Sequence, residues 1–134
     1  MIHQKTYWIW AEFNHKDEKK IKKIRDHLRK IFDSPIFNTH LTLAGPLNYL
    51  EKSTIFMINN LCKSYSPIYV NCSGLECKDE FFKSFFVKVN YSKELNNLRT
   101  NLLKITNLKN NVTYKPHISL IYGDHDSFKK QEYI

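Results

Sequence analysis

The chain has 134 residues, and 21 lysines and arginines against 13 aspartates and glutamates give it a formal charge of +8 at pH 7. This length suits one folded domain, and the ordinary apolar and charged fractions exclude a disordered chain. The positive charge favours anionic partners such as nucleotides, RNA or an acidic surface, because it raises their local concentration. Charge by itself identifies none of these partners.

The cysteines, the amino-terminal residues and the hydropathy pattern exclude further classes of protein. Cys62, Cys72 and Cys77 have neither the even number of a disulfide framework nor the paired spacing of a zinc site. The amino-terminal residues lack the layout of a signal peptide, and no apolar run approaches the roughly 18 residues of a membrane span. We therefore expect a cytoplasmic protein without a membrane partner, with no metal and no cofactor.

The amino-terminal third is predicted to form a strand, a helix and a second strand. Residues 5–13 are rich in aromatic and β-branched side chains, which are typical of a strand. Asp17 is the expected N-cap of a helix that ends at residues 33–35. Its buried stripe consists of apolar residues at helical spacing among lysines, namely Ile21, Ile24, Leu28 and Ile31. A strand at residues 37–44 follows, closed by a turn at Gly45-Pro46.

Further along the chain, helices and strands continue to alternate. The predicted elements are a helix at 53–63, strands at 68–72 and 81–89, a helix capped by Ser92, a strand ending at Gly123-Asp124 and the start of a helix at 126–134. A turn near Lys78-Asp79 joins the two middle strands. Together these elements predict an α+β protein with two small pseudo-symmetric lobes, whose polar strand faces line a common cleft.

Two stretches of the chain repeat one pattern. Residues 38–43 read NTHLTL, and residues 115–120 read KPHISL. Side chains alternate between the two faces of a strand, so each histidine shares a face with the hydroxyl two residues later. The resulting pairs are His40 with Thr42 and His117 with Ser119.

This repeat has two interpretations. A single His-x-Ser/Thr match is expected by chance, whereas two matches in the same apolar context, each after a predicted helix, are not explained by composition. Either each histidine is a half-buried strand residue that bonds a neighbouring hydroxyl, or the two motifs form a site. A metal centre would need three or four ligands, and the sequence offers no carboxylate or cysteine at a fitting spacing.

Paired imidazoles suit the hydrolysis of a phosphodiester. With an ordinary pKa near 6.5, one neutral histidine can accept a proton at neutral pH while a second, protonated histidine donates one. On opposite sides of a phosphodiester they would activate water and protonate the leaving oxygen. The hydroxyls of Thr42 and Ser119 would bind the non-bridging oxygens. The sequence does not decide which histidine is the base, and we favour His117 as the base and His40 as the acid.

The two motifs resemble the paired HxT/S motifs of the two-histidine (2H) phosphoesterases, in particular the cyclic phosphodiesterase-like and 2′-5′ RNA ligase-like proteins. Further support comes from the aromatic run Tyr7-Trp8-Ile9-Trp10 and the segments Phe81–Phe86 and Pro116–Gly123. The resemblance implies a single 2H phosphoesterase-like domain over residues 1–134. In such a bilobal fold, two small antiparallel sheets line a central cleft with helices outside.

The resemblance also implies an activity and a set of site residues. Family members hydrolyse cyclic phosphodiesters of nucleotides without a metal, and their substrates include ADP-ribose 1″,2″-cyclic phosphate and nucleoside 2′,3′-cyclic phosphates. We therefore expect a cyclic phosphodiesterase in which His40 and His117 are catalytic and Thr42 and Ser119 bind phosphate. By position, the residues expected to bind the rest of the substrate are Trp10, Ser84 and Tyr122.

The carboxyl-terminal end departs from the family pattern. Family members continue beyond the second motif with a helix and at least one strand, whereas this sequence ends at Ile134. We therefore expect a monomer, or a domain-swapped dimer if the carboxyl-terminal lobe is incomplete, because an unpaired sheet edge invites pairing. The expected substrate is a small cyclic nucleotide or an RNA terminus.

Two alternative functions would use the same cleft. One is an RNA-binding module with little hydrolysis, in which a basic helical stripe faces phosphates. The residues of that stripe would be Lys19, Lys20, Lys22, Lys23 and Arg25. The other is a 2′-5′ RNA ligase or phosphodiesterase that uses the four motif residues on a larger substrate. Salt-dependent RNA affinity identifies the first alternative, and dependence on substrate length identifies the second.

Overall fold

The structure, a computed structural model, describes residues 5–110 and 113–134. Its strands are β1 (Tyr7–Ala11), β2 (Leu41–Leu47), β3 (Cys72–Cys77), β4 (Phe85–Val89) and β5 (His117–Ile121). Its helices are α1 (His15–Arg29), α2 (Lys52–Lys63), α3 (Lys93–Thr106) and α4 (Ser127–Gln131), and Phe81–Lys83 form a 3₁₀ turn. Among these described helices, none is long and apolar enough to cross a membrane.

The five strands belong to one sheet, in the order β1-β2-β5-β4-β3. The pairs β2–β5, β5–β4 and β4–β3 are antiparallel. The α+β class predicted from the sequence is therefore confirmed. Over residues 5–110 and 113–134 a single sheet is assigned, and the expected pair of small sheets with bilobal symmetry is not confirmed.

The chain divides into two compact units, of which the second carries both histidine positions. This second unit comprises Ala11–Leu41, Asn71–Asn90 and Pro116–Ile134. Its core joins the end of α1 to strands β4 and β5, and the buried members of this core are Leu28, Phe32, Phe85, Leu120 and Ile121. Because these side chains exclude water together, they fix β5, the strand of the second motif.

The first unit comprises the described residues of Met1–Trp10, Thr42–Val70 and Tyr91–Lys115. Helix α3 supplies its main apolar stripe, formed by Leu95, Leu98, Leu102 and Leu103. Ser92 caps α3 as predicted, because its hydroxyl accepts a hydrogen bond from the Leu95 amide at 3.2 Å. Helix α2 packs against α3 and begins one residue before its predicted start.

Helix α1 begins earlier than the sequence predicts. Its N-cap is Asn14, whose Oδ1 accepts a hydrogen bond from the Asp17 amide at 2.8 Å, so the prediction of Asp17 as N-cap is wrong. Asp17 instead lies in the first turn, where its carboxylate accepts a hydrogen bond from Asn14 Nδ2 at 2.9 Å. Both residue types favour a helix start, and it is the extended backbone of Asn14 that identifies the cap.

Strand β2 continues through the predicted turn at Gly45-Pro46 and ends at Leu47. A Cβ atom on Gly45 would lie 2.6 Å from Trp8 Cε3, and the backbone there has φ +137°. Glycine is therefore required by both the close approach and the backbone conformation. The Gly-Pro pair lies inside a strand here, although such a pair more commonly ends one.

Strand β3 lies later in the chain than predicted. The predicted strand at 68–72 is wrong, because β3 starts at Cys72 and pairs with β4 from Cys72↔Val89 to Cys77↔Phe85. Its residues have little strand preference of their own, so pairing with β4 outweighs local propensity. The predicted strand at 81–89 is shortened to Phe85–Val89 by the 3₁₀ turn before it.

Candidate functional site

The pairing of β2 with β5 indicates which face of the sheet each motif side chain takes. In the antiparallel pair of β2 and β5, Leu41 is the partner of Ile118. Continuing this register by one residue sets His40 opposite Ser119, on the face away from Ile118. His117 lies two residues before Ser119 on β5 and shares its face. Strand alternation therefore gives Ser119 the same face as His117, and the extended register gives His40 that face too.

The same register gives an approximate separation of the two histidines. His40 and His117 occupy diagonal positions on neighbouring strands, for which Cα atoms are roughly 7–8 Å apart. Imidazoles on such a pair can approach a tetrahedral group from two sides while a hydroxyl contacts it between them. This arrangement suits in-line displacement at phosphorus.

His40 is almost buried and its ring orientation is fixed. The side chain is 6% exposed, and Nδ1 lies 2.7 Å from the carbonyl oxygen of Asn38. Because a carbonyl oxygen can only accept, Nδ1 carries a proton, and the lone pair of the neutral ring is on Nε2. Burial lowers the pKa of His40, and the Asn38 carbonyl and the negative charge of Glu12 partly oppose that shift.

His117 has a different environment at the start of β5. Its side chain is half-buried, and it pairs in register with Lys88 of β4. The ring meets Phe86 edge to face, with centroids 5.2 Å apart and planes at 64°. An aromatic edge fixes the orientation of the imidazole without adding a charge next to it.

Ser119 is buried and contacts Phe82 and Tyr122. Ser119 is 5% exposed, and its Oγ donates a weak hydrogen bond to the Phe82 carbonyl at 3.4 Å. Burial raises the pKa of the Tyr122 phenol, and a side-chain hydrogen bond with Ser119 opposes that rise. Tyr122 therefore stays protonated at neutral pH and keeps a hydrogen-bond donor next to Ser119.

An aromatic cluster surrounds Tyr122 and extends to the surface. The Phe37 ring stacks on Tyr122 with centroids 4.0 Å apart, and Phe82 meets Tyr122 edge to face at 5.2 Å. Phe81 lies 6.4 Å from Tyr122 in a stacked orientation. Phe82 is 68% exposed, which is unusual for phenylalanine and leaves its ring available to a ligand.

Thr42 and Trp10 lie in the first unit, and their predicted roles stay predictions. Thr42 is half-buried on β2, and its carbonyl oxygen accepts a hydrogen bond from the Tyr114 hydroxyl at 2.7 Å. Burial raises the pKa of Tyr114 to about 12, so this donor is retained at all ordinary pH values. Trp10 is 42% exposed on β1.

Ser84 lies beneath the surface. It is completely buried, and its hydroxyl accepts a hydrogen bond from Lys130 Nζ at 3.4 Å. The same ammonium donates to the Lys78 carbonyl at 2.7 Å, which ties helix α4 to the turn after β3. Its role in substrate binding stays a prediction, and the structure surrounds it with protein groups.

The basic stripe predicted on α1 differs from the structure in one residue. Arg25 is 6% exposed and faces the interior, so its assignment to a phosphate-facing stripe is wrong. Helix α1 does carry a shallow basic groove of about 430 Å³, lined by Lys19, Lys22, Lys23, Asp26, His27 and Lys30. Lys22 and Asp26 form an exposed ion pair across one turn at 2.6 Å, which partly neutralises this groove.

Sequence reasoning missed three residues close to the predicted site. Phe37 and Phe82 contact Tyr122, and Arg25 contacts the segment before His40. Arg25 follows Ile21 by four residues and precedes Leu28 by three, so helical spacing places it on the apolar stripe. That position was a usable signal that the guanidinium is buried.

Within residues 5–110 and 113–134, no three His, Cys, Asp or Glu side chains come together in a way that could hold a metal ion. The groups that the structure places at the motifs are imidazoles, hydroxyls and aromatic rings. Their chemistry is proton transfer, hydrogen bonding to oxygen and stacking.

Comparison with known families decides the class of protein. The family model described as "Cyclic phosphodiesterase-like protein" matches residues 4–134. The chain belongs to this family. The resemblance to the cyclic phosphodiesterase-like branch of the 2H phosphoesterases is therefore confirmed over nearly the whole chain.

A curated relative agrees with this assignment. A protein named cyclic phosphodiesterase from Arabidopsis thaliana is 22% identical over 123 residues, which cover 92% of this chain and 68% of the relative. Membership of the family confirms the prediction of an enzyme, a phosphoric diester hydrolase of the cyclic phosphodiesterase class. A small phosphodiester substrate follows from the same membership.

Proposed function

We propose that this enzyme hydrolyses a nucleotide cyclic phosphodiester by metal-independent acid–base catalysis with His40 and His117. The observation that carries the proposal is the register of β2 and β5, which sets His40 opposite Ser119 and leaves His117 on the same face. Two imidazoles and a hydroxyl on one face match the needs of displacement at phosphorus. The family assignment supplies the class of reaction.

His40 is the general base in this proposal. Its Nδ1–H is held by the Asn38 carbonyl, so the lone pair for proton abstraction is on Nε2. Its lowered pKa keeps the ring neutral at neutral pH, as a base requires. His117 then acts as the acid, which reverses the order favoured from the sequence.

At phosphorus, the reaction forms one P–O bond and breaks another. His40 Nε2 accepts a proton from water as the water oxygen attacks phosphorus. The bond from phosphorus to one ribose oxygen breaks, and His117 donates a proton to that oxygen. The products are a phosphomonoester and a free hydroxyl, and exchange with solvent restores the two protonation states. Each proton transfer contributes on the order of 10²–10⁴ in rate.

The two hydroxyls of the motifs bind the phosphate. Ser119 lies beside His40 in the register, and strand alternation gives Thr42 the corresponding place after the first histidine. Hydroxyls can donate to the non-bridging oxygens, on which negative charge grows as water attacks. Their role is therefore to stabilise charge and hold phosphorus in line.

The substrate in this proposal contains an aromatic base. Phe82 is exposed next to Tyr122, and a base can stack on such rings with about 1–3 kcal/mol per contact. Trp10 is the predicted third contact. A nucleoside 2′,3′-cyclic phosphate places its base closer to phosphorus than ADP-ribose 1″,2″-cyclic phosphate does, and we propose the first as the better substrate.

The test is a substrate panel in EDTA. Purified protein is incubated with nucleoside 2′,3′-cyclic phosphates, ADP-ribose 1″,2″-cyclic phosphate and 2′-5′-linked oligonucleotides of increasing length. We expect turnover of the small cyclic substrates, with a single phosphomonoester product. Folded protein that turns over none of these cyclic substrates contradicts the proposal, and a rate that rises steeply with oligonucleotide length supports the 2′-5′ RNA alternative instead.

A further inference from the structure

We infer that Arg25 is a positioning residue for His40, because it fixes the segment whose carbonyl oxygen orients the imidazole. This role rests on the proposed function, in which His40 is the base. Arg25 belongs to α1 and does not belong to either histidine motif. It would act on the reaction only through the backbone between Phe37 and Thr39.

Arg25 is buried among neutral partners. The side chain is 6% exposed, and a single nitrogen, Nη1, donates to the Phe37 carbonyl and to Thr39 Oγ1, both at 2.9 Å. The guanidinium carbon also lies 5.7 Å from the centre of the Phe37 ring. Burying a charge is costly without such contacts, so a guanidinium retained here has a specific geometric use.

The two contacts of Arg25 lie on either side of Asn38. The Asn38 carbonyl accepts the Nδ1 proton of His40 at 2.7 Å. Pinning the residues before and after Asn38 leaves its carbonyl little freedom to turn away from the ring. The guanidinium therefore sets the direction in which Nε2 of His40 points.

Lysine cannot replace this function. Nη1 of a guanidinium has two N–H groups in one plane, which can reach two acceptors at once in a fixed geometry. An ammonium group is a compact charge on a flexible stem, so Arg25→Lys keeps the charge but loses the double contact. Thr39, which is 3% exposed, offers the complementary change, because valine has its shape without the acceptor oxygen.

The charged and titratable groups around His40 determine how its pKa should change in the variants. Glu12, which follows β1, raises the pKa of His40 by its charge, and burial lowers it. Arg25 comes from α1, and His117 is the titratable group that β5 contributes to this face. Loosening the Asn38 carbonyl removes a hydrogen bond that raises the pKa of His40. The pKa should therefore fall further in both variants.

The experiment compares Arg25→Lys and Thr39→Val with the wild type, and with Arg29→Lys as matched control. Arg29 lies on the same helix, and its buried Nε has no hydrogen-bond partner among residues 5–110 and 113–134. We expect kcat for a nucleoside 2′,3′-cyclic phosphate to fall about 10- to 100-fold in Arg25→Lys, with a smaller loss in Thr39→Val. The acidic limb of the pH profile should move to lower pH in both, and Arg29→Lys should match the wild type.

Nitrogen-15 NMR of the histidine rings separates this inference from the proposed function. It reports the tautomer and pKa of His40 whether or not the protein turns over a substrate. The inference is supported if the fraction of Nδ1–H tautomer and the pKa of His40 fall in Arg25→Lys and Thr39→Val. It is overturned if both variants, shown to be folded by circular dichroism, leave the tautomer and the pKa of His40 unchanged.

Discussion

At the scale of single residues, the burial of His40 sets the pH dependence that the proposed mechanism predicts. Burial lowers the pKa of His40 from its ordinary value of 6.5, and a general base must be deprotonated to act. The acidic limb of kcat/KM should therefore lie below pH 6.5. A profile of kcat/KM against pH with a nucleoside 2′,3′-cyclic phosphate measures this limb directly.

Replacing Glu12 tests the predicted direction of the shift in that pH profile. Its negative charge raises the pKa of His40, so Glu12→Gln should move the acidic limb to still lower pH. Glu18→Gln, in the first turn of α1, should leave the limb in place, because Glu12 is the charge that acts on His40. An acidic limb above pH 6.5, or a shift to higher pH in Glu12→Gln, would argue against His40 as the base.

Phe82 is the residue on which the proposed base stacking depends. Removing the exposed ring in Phe82→Ala should raise KM about 5- to 10-fold and leave kcat nearly unchanged, because stacking contributes at least about 1 kcal/mol to binding. Steady-state kinetics with two nucleoside 2′,3′-cyclic phosphates that differ in their base measure the change in KM. Phe128→Ala is the control, since Phe128 is 86% exposed on α4. Equal KM values in Phe82→Ala and Phe128→Ala would contradict base stacking on Phe82.

At the scale of elements, the start of α1 offers a direct test of the fold. Asn14→Ala removes the cap that accepts from the Asp17 amide, and such changes typically cost about 1 kcal/mol. We expect a lower free energy of unfolding in urea with unchanged kcat. Asp17→Asn should cost less, because it keeps a hydrogen-bonding side chain and loses only a charge in the first turn. A larger loss of unfolding free energy in Asp17→Asn than in Asn14→Ala would indicate Asp17 as the cap instead.

The sequence predicts elements well where local pattern and packing agree. Helix α3 has Ser92 at its start and a leucine every three or four residues, and both signals correspond to burial in the structure. Strand β5 lies within its predicted segment, and its apolar residues are buried, Leu120 and Ile121 in the core with Leu28 and Phe32. Such segments need no distant partner to identify them.

Predictions fail where a distant partner decides the structure. The sheet edge β3 has few strand-forming residues, and only pairing with β4 defines its bounds. The need for glycine at position 45 depends partly on the Trp8 ring, which is remote in sequence. For Arg25, helical spacing indicates burial, but the acceptors of its guanidinium, the Phe37 carbonyl and the Thr39 hydroxyl, are identified only by the fold.

At the scale of the whole molecule, the charge of +8 predicts how activity responds to salt. A small cyclic substrate carries one phosphodiester charge, so log kcat/KM should fall with log salt with a slope of about −1 or shallower. A series of sodium chloride concentrations measures the slope. Neutralising the groove on α1 in Lys19→Ala and Lys23→Ala should change kcat/KM for this substrate by less than about twofold.

The same salt series tests the RNA-binding alternative. Binding that neutralises several phosphates gives a slope several times steeper, which Lys19→Ala and Lys23→Ala would reduce. Single-stranded RNA affinity measured by fluorescence anisotropy reports this slope. A steep slope for RNA that is independent of His40 would favour a binding module, and we expect none.

The four motif residues form a candidate site that the sequence pattern alone proposes. His40, His117, Thr42 and Ser119 follow from a repeated pattern because strand alternation is a local property. The diagonal placement of the histidines is a consequence of the β2–β5 register, which no local pattern specifies. The aromatic contacts of Tyr122 arise from loops whose conformation depends on the rest of the fold.

Turnover by histidine variants tests the central claim most directly. His40→Gln, His117→Gln and the double variant are assayed in EDTA with a nucleoside 2′,3′-cyclic phosphate, with exposed His27→Gln as control and circular dichroism to establish folding. Each single variant should lose about 10²–10⁴ in kcat, and the double variant should lose little more than either one, because the two groups act in one step. Turnover close to that of His27→Gln in either folded single variant would contradict paired histidine catalysis.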